Sequence, residues 1–200
     1  MQDAGFDESH EQFSESWEAA FQRQAQRFSA QQREFHMLDV ARDFCSDLSP
    51  SPDDPWLEKL AATFIDDWAS QVTPVTGAAG LVQRLSKHYR VGLISNTHYP
   101  PMVYSLLDTM SLSSVFEVVS LSVEVGVPKP DPGIFEQTLA KLRIEPADAI
   151  YIGDNYEHDF LGARSIGMDC YLIGKHARVP LDRQLRNIHD LAIYFETARK

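Results

Sequence analysis

Between residues 8 and 72 the apolar positions recur every three or four residues. In HEQFSESWEAAFQRQAQRF, the positions Phe13, Trp17, Ala20, Phe21, Gln24 and Phe28 share one helical face. REFHMLDVARDFCSDL repeats the spacing with Phe35, Leu38, Val40, Ala41, Phe44 and Leu48. SPSPDDPW breaks the pattern and opens a new one, in which Leu57, Leu60, Ala61, Phe64, Ile65 and Trp68 form the apolar side. The spacing predicts three or four antiparallel helices. It also makes the aromatic stripe a packing surface rather than a ligand site.

After VTPVTGAAG the period changes. Short β-branched runs, RVGLIS at 90–95, FEVVSLS at 116–122, AIYIG at 149–153 and CYLIG at 170–174, alternate with helical stretches such as PPMVYSLLDTM, DPGIFEQTLAKL and EHDFLGARSIG. Strands separated by helices predict right-handed crossovers and an α/β fold, a doubly wound parallel sheet covered on both faces. Near-continuous apolar strands fit that double burial. The expected division is a helical region over 1–72 and an α/β core over 73–200, with SQVTPVTG at the boundary.

Charge narrows the function. The formal net charge is −11, and the 18 Lys and Arg residues are dispersed, which excludes a nucleic-acid partner because phosphate neutralisation needs clustered cations. An acidic chain can still handle an anionic substrate if a metal ion and a few local cations reverse the sign in the pocket. No apolar run approaches the roughly 18 residues of a membrane span, and the polar start MQDAGFDESHEQF does not read as a secretory signal. Cys45 and Cys170 lack metal-type spacing and read as inert core thiols. The expectation is a cytoplasmic protein with neither membrane nor nucleic-acid partners.

Candidate chemistry collects where strands end, since open α/β sheets place working groups at the carboxyl ends of their strands. In LISNTHYPP, Ser95, Asn96 and Thr97 offer a hydroxyl, an amide and backbone N–H groups to an anionic oxygen, though the same residues serve as helix caps. His98 and Tyr99 follow closely enough to contact a substrate, and a tight turn before Pro100 and Pro101 accounts for them as well. Lys129 stands between Pro128 and Pro130, a stiff mount for a cation, and Asp131 before Pro132 reads as an N-cap pair. Asp154 ends a strand and Asp159 follows five residues later. Two carboxylates beside a lysine suit an octahedral Mg²⁺ site, or a helix cap paired with Lys129.

Taken together, these three strand ends resemble the haloacid dehalogenase-like hydrolase superfamily. LISNT is similar to its second motif, Lys129 in KPDPGIF to its third, and IYIGDNYEHDFLGARSIGM, with the spacing GD-x4-D, to its fourth. The resemblance covers about residues 74–175, and the helices before it look like the family's small helical cap. It implies a Rossmann-like core in which Ser95, helped by the backbone at Asn96, holds a phosphoryl oxygen. It further implies that Lys129 balances charge, that Asp154 binds Mg²⁺, and that Asp159 steers Lys129 or a metal-bound water. Thr97, His98 and Tyr99 become candidates to contact a small phosphorylated substrate. Gly153-Asp154 looks like the phosphatase form of the fourth motif, whereas halide-releasing members tend to carry Ser and Asn there and need no metal.

The family's first motif, a strand ending in D-x-D with the nucleophilic Asp, has no counterpart here. Asp7 lacks a preceding apolar strand, and Asp39, Asp66 and Asp67 lie in helical patterns. That strand would lie between the ones ending at Ser95 and Asp154, so its loss predicts two exposed strand edges. The expectation is a chain nearly inert by itself, belonging to a larger hydrolase, with the strand supplied by an upstream segment or another chain. The alternatives are a non-catalytic binding or scaffold protein that uses the helices as its contact surface, and an unrelated use of the fold.

Overall fold

The computed structural model describes residues 10–30, 33–46 and 51–192. The chain divides into two compact units, Met1–Val72 and Thr73–Lys200.

The first unit is helical, with α1 at His10–Ser29, α2 at Met37–Phe44 and α3 at Asp54–Ala69. Each start after the first is set by local chemistry. The His36 Nδ1 accepts from the Leu38 N–H at 3.0 Å while the Asp39 carboxylate accepts from the His36 N–H, a reciprocal cap. At α3, Asp53 accepts from the Trp56 N–H, and Pro55 occupies the first turn. Trp17 is 1% exposed and packs on Phe64 and Phe44, with ring centroids at 4.6 and 5.5 Å. The aromatic stripe is therefore core. Trp68 departs from the burial expected of it: it is 53% exposed, at the last turn of α3, where with Phe64 it borders an open pocket shared with Glu15 and Gln22 of α1. Leu48 and Asp7 lie outside the described residues.

The second unit has the alternating grammar that the sequence predicts. Its elements run α4 at Ala78–Leu85, β1 at Gly92–Ser95, α5 at Pro100–Thr109, β2 at Val118–Leu121, α6 at Ser122–Val125 and α7 at Pro132–Leu142. They continue with β3 at Ile150–Gly153, a π-helical turn at Tyr156–Leu161, α8 at Gly162–Ser165, β4 at Asp169–Ile173 and a two-residue β5 at Gln184–Leu185. All pairings are parallel, and the packing is two-sided. Along β4, Cys170 and Leu172 face the cluster built by Phe135, Leu139 and Ala163 of α7 and α8, while Tyr171 and Ile173 face Leu81 and Leu185. Both described cysteines are free and buried, and burial pushes the Cys170 thiol up to about 12, as expected of inert core residues. No helix among the described residues is long and apolar enough to cross a membrane.

The strands form two sheets, one of order β1-β2 and one of order β3-β4-β5. Among the described residues, β1 pairs only with β2, and β3 pairs with β4 on one side only. Between β1 and β3 lies a cavity of about 470 Å³. Gly92 and Ile94 of β1 and Ile150 and Ile152 of β3 line it, with Leu139 and Leu142 of α7 beside them. The neighbouring strands have not closed on each other, because α7 packs against both sheets and holds them apart.

Gly162 shows how tightly α8 sits. A Cβ there would lie 2.9 Å from the Phe135 ring and 3.2 Å from the Pro130 Cα. Gly162→Val is expected to destabilise the second unit by about 1–3 kcal/mol through overpacking. Urea unfolding followed by far-ultraviolet circular dichroism checks this, and an unchanged midpoint would contradict the packing described.

Candidate active site

The site is built around the Lys129 ammonium. Its Nζ lies 2.6 Å from Asp159 Oδ1, 3.2 Å from the Tyr151 hydroxyl and 3.5 Å from the Ile94 carbonyl oxygen. One cation thus joins the carboxyl ends of β1 and β3. The lysine side chain is 12% exposed and that of Asp159 is 4% exposed, so the pair is largely removed from water.

The loop carrying Lys129 is held from both sides. The Asn96 side chain accepts from the Lys129 N–H at 2.8 Å and donates to the Lys129 carbonyl at 3.0 Å. Asp131 accepts from the Gly133 N–H at 2.8 Å and opens α7, as its place before Pro132 predicts. The peptide bond between Lys129 and Pro130 is cis. Asn96 thereby fixes the lysine backbone with its side chain and leaves its own backbone at the end of β1.

Asp159 is placed by the glycine of the GD pair. A Cβ on Gly153 would run into the Asp159 side chain, so the carboxylate folds back over the end of β3. Its Oδ2 accepts the N–H groups of Asp154 and Asn155 at 3.1 and 2.9 Å, and its Oδ1 accepts Lys129 and Tyr151. The Asn155 side chain accepts the N–H groups of Glu157 and His158 and starts the π-helical turn that delivers Asp159. All four acceptor positions of Asp159 are taken. This carboxylate is arranged to hold Lys129, Tyr151 and the turn after β3.

Asp154 differs. It is exposed, and its carboxylate has no hydrogen-bond or ion-pair partner among the described residues. One free carboxylate at a strand end fits Mg²⁺, which takes one or two carboxylates and completes its shell with waters and substrate oxygens. No group of three or more metal-ligating side chains occurs among the described residues, so Asp154 alone is not a closed cage.

Among the other predicted residues, Ser95 is half-buried at the end of β1, and its hydroxyl makes only a long 3.4 Å contact with the Asn96 carbonyl. Thr97 is buried, and its N–H and carbonyl both bond the Ser122 hydroxyl while its own hydroxyl accepts the Tyr99 N–H. Those bonds tie the loop to the start of α6, just past β2, and engage the backbone and hydroxyl of Thr97 within the protein. His98 and Tyr99 are half-buried in the turn that leads into α5. Tyr151 is the residue that sequence reasoning missed. It precedes Gly153 by two on β3, so it shares the face over which Asp159 folds, and that alternation is the signal that could have revealed it.

Burial pushes the Asp159 carboxyl up, but the hydrogen bonds from Lys129 and the Asn155 N–H, with the lysine charge, outweigh it and hold the group below its ordinary range. Burial, then the Asp159 charge, push the Tyr151 phenol up, so it stays a neutral donor. A depressed carboxyl stabilises the fold above its unfolded pKa of about 4 and loses that contribution as pH falls through the folded value. Stability should therefore drop steeply below about pH 4. Asp159→Asn should flatten that acid limb in urea titrations between pH 2 and 7, and an unaltered limb would remove the buried pair from the account.

With this geometry established, the chain was compared with known proteins. Residues 8–173 match the family model described as haloacid dehalogenase-like hydrolase. The mouse haloacid dehalogenase-like hydrolase domain-containing protein 3 is 30% identical over 143 residues, 70% of this chain and 55% of that protein. The glyceraldehyde 3-phosphate phosphatase of Pyrococcus furiosus is 33% identical over 54% of this chain and 46% of its own length. The chain thus spans about half the length of the curated relatives it matches. A solved 2-haloacid dehalogenase from Pseudomonas syringae superposes with a TM-score of 0.67 at 19% identity, covering 95% of this chain and 82% of that one, a likeness of fold alone. Motif order, the lysine-centred site and the family match agree: the chain belongs to the haloacid dehalogenase-like hydrolases.

Proposed function

We propose that this chain belongs to a Mg²⁺-dependent phosphatase that hydrolyses a small phosphorylated metabolite through an aspartyl-phosphate. The observation that carries the reading is the Lys129 ammonium, pinned by Asp159 and Tyr151 where β1 and β3 end, beside the free carboxylate of Asp154. The Ser95 hydroxyl and the Asn96 N–H would hold oxygens of the phosphoryl group, and Lys129 would offset the charge gathered between phosphate and nucleophile. Asp154 would hold Mg²⁺, whose chemistry there is to polarise the phosphoryl oxygens. The attacking carboxylate would enter on a strand between β1 and β3. The helical unit would act as the cap that selects the substrate.

The pairing of Gly153 with Asp154 supports phosphate release over halide release, since a metal carboxylate serves a phosphoryl group and not an alkyl halide. Similarity to a glyceraldehyde 3-phosphate phosphatase points the same way. A second reading, a non-catalytic anion-binding relative, draws on the lack of a nucleophilic carboxylate opposite Lys129 among the described residues.

The test is a panel of phosphorylated metabolites against the longest polypeptide its reading frame encodes, with Mg²⁺ and with EDTA. Phosphate release should require Mg²⁺ and fall by roughly 100-fold or more in Asp154→Asn, whose exposed carboxylate holds no structural contact, and in Lys129→Met under conditions where circular dichroism shows it folded, since that change strands the buried Asp159 carboxylate. Full activity in EDTA or in Lys129→Met would overturn the proposal. Stoichiometric phosphate binding with no turnover would favour the second reading.

A further inference from the structure

We infer that α1 pairs antiparallel with α1 of a second copy of this chain, along an exposed stripe that is complementary to itself. The inference stands on the helical unit alone and is independent of the function proposed above.

The stripe is written in the sequence at intervals of four. Glu11, Glu15, Ala19, Arg23 and Arg27 follow one another along α1, and all five are exposed. Residues four apart lie on one ridge of a helix, the row through which two helices most often pack. Turned end for end, this row meets its own complement. A two-fold axis at Ala19 sets Glu15 against Arg23 of the second copy and Glu11 against its Arg27, and symmetry repeats both pairs. A parallel pairing in register would instead set like charges together.

The helix macrodipole accounts for part of this order, since it favours Glu11 in the first turn and Arg27 in the last. It does not reach Glu15 and Arg23, which lie one turn further in. Within a single chain the order is unfavourable, because Glu11 and Glu15 repel each other four residues apart, as do Arg23 and Arg27. Glu15 has no hydrogen-bond or ion-pair partner among the described residues. Arg23 gives Nε and Nη2 to Asp43 at 2.7 Å, yet its side chain stays 56% exposed and its Nη1 is unbonded among the described residues. A second copy is the occupant whose charges answer both. The net charge of −11 opposes association in general, so the local matching of sign decides where two copies meet.

The centre of the row supplies the apolar contact. Ala19 has little bulk, so the two helix axes can approach closely where they cross. Beside it, α1 and α3 border an open pocket of about 690 Å³ that Ala19 shares with Phe64 and Trp68. Trp68 is the large side chain left 53% exposed there. A two-fold axis perpendicular to both helices places the two pockets on the same side of the interface. Each Trp68 then lies beside the crossing, an aromatic anchor with the charged pairs as its rim.

The test is sedimentation of the purified 200-residue chain over a roughly 100-fold range of concentration, in which the wild type should pass from monomer to dimer. Glu11→Arg with Glu15→Arg makes the stripe wholly cationic, and Arg23→Glu with Arg27→Glu makes it wholly anionic. Each double variant should dimerise more weakly by roughly 10-fold or more. Mixed in equal amounts, the two should form a heterodimer at the concentrations where the wild type dimerises, a recovery that a misfolded variant cannot give. Trp68→Ala should weaken the dimer with the helical circular dichroism unchanged. Under mild oxidation Ala19→Cys should link to its mate across the axis, whereas Arg27→Cys should not.

A monomer at every concentration would overturn the inference, as would a dimer that survives in both charge variants or a mixture that stays monomeric. Self-linking by Arg27→Cys as fast as by Ala19→Cys would also overturn it, because that reports a parallel pair. Phosphate release enters none of these outcomes, so the enzymatic reading stands or falls by its own assay.

Discussion

The ion pair between Lys129 and Asp159 is the constraint on which the rest of the second unit turns. Two charges taken this far from water cost more than their attraction returns unless every remaining donor and acceptor is answered. Here they are. Asp159 receives Lys129, Tyr151 and two backbone N–H groups, and Lys129 adds the Ile94 carbonyl. Each of those partners demands something of the chain. The backbone donors need Gly153 to stand aside for the carboxylate, the π-helical turn must return Asp159 to the strand end, and Asn96 must grip the lysine peptide. The motif spacing is the record of those demands, which is why the residues read as a set and not singly.

A division of labour follows between the two acidic residues that the sequence presents alike. Asp154 and Asp159 differ by five positions and both end up at the mouth of β3, yet one is exposed and the other buried. The buried one is saturated with donors from its own unit; the exposed one has no hydrogen-bond or ion-pair partner among the described residues. The same split separates Ser95, whose hydroxyl has one long contact, from Thr97, whose polar groups are spent on Ser122 and Tyr99. Neighbouring residues of one motif thus differ in how far their polar groups are already bonded within the protein.

This also explains what the sequence could and could not disclose. Period-3.6 and continuous apolar runs marked every helix from His10 to Ala69 and the four longer strands, because burial writes itself into spacing. The reciprocal cap at His36 went unread, since histidine is not among the usual capping residues. The strand at Gln184–Leu185 was missed because two residues carry no period. Trp68 aligns with Phe64 as read but stays exposed, because a helical face says which residues align, not how closely a facing helix approaches at its end. At the site, motif order located Ser95, Lys129, Asp154 and Asp159, whereas Tyr151 required knowing which face of β3 the carboxylate folds over. The bidentate grip of Asn96 joins residues 33 positions apart, a contact that only the crossover topology creates.

The edges of β1 and β3 that stay unpaired among the described residues bear on how Lys129 is held. The pinning of Lys129 depends on α7, on the loop before it and on the turn after β3, all of which stand without any strand in the cavity. Leu139 and Leu142 of α7 line the gap while Thr138 anchors the helix to Ser120 of β2, so the width of the cavity is set from outside it. A cation preorganised in this way needs no rearrangement when a carboxylate arrives, and the free energy of its desolvation has already been met by Asp159. The folded chain thus fixes one cation where β1 and β3 end, with the charge that holds it supplied from within the same unit.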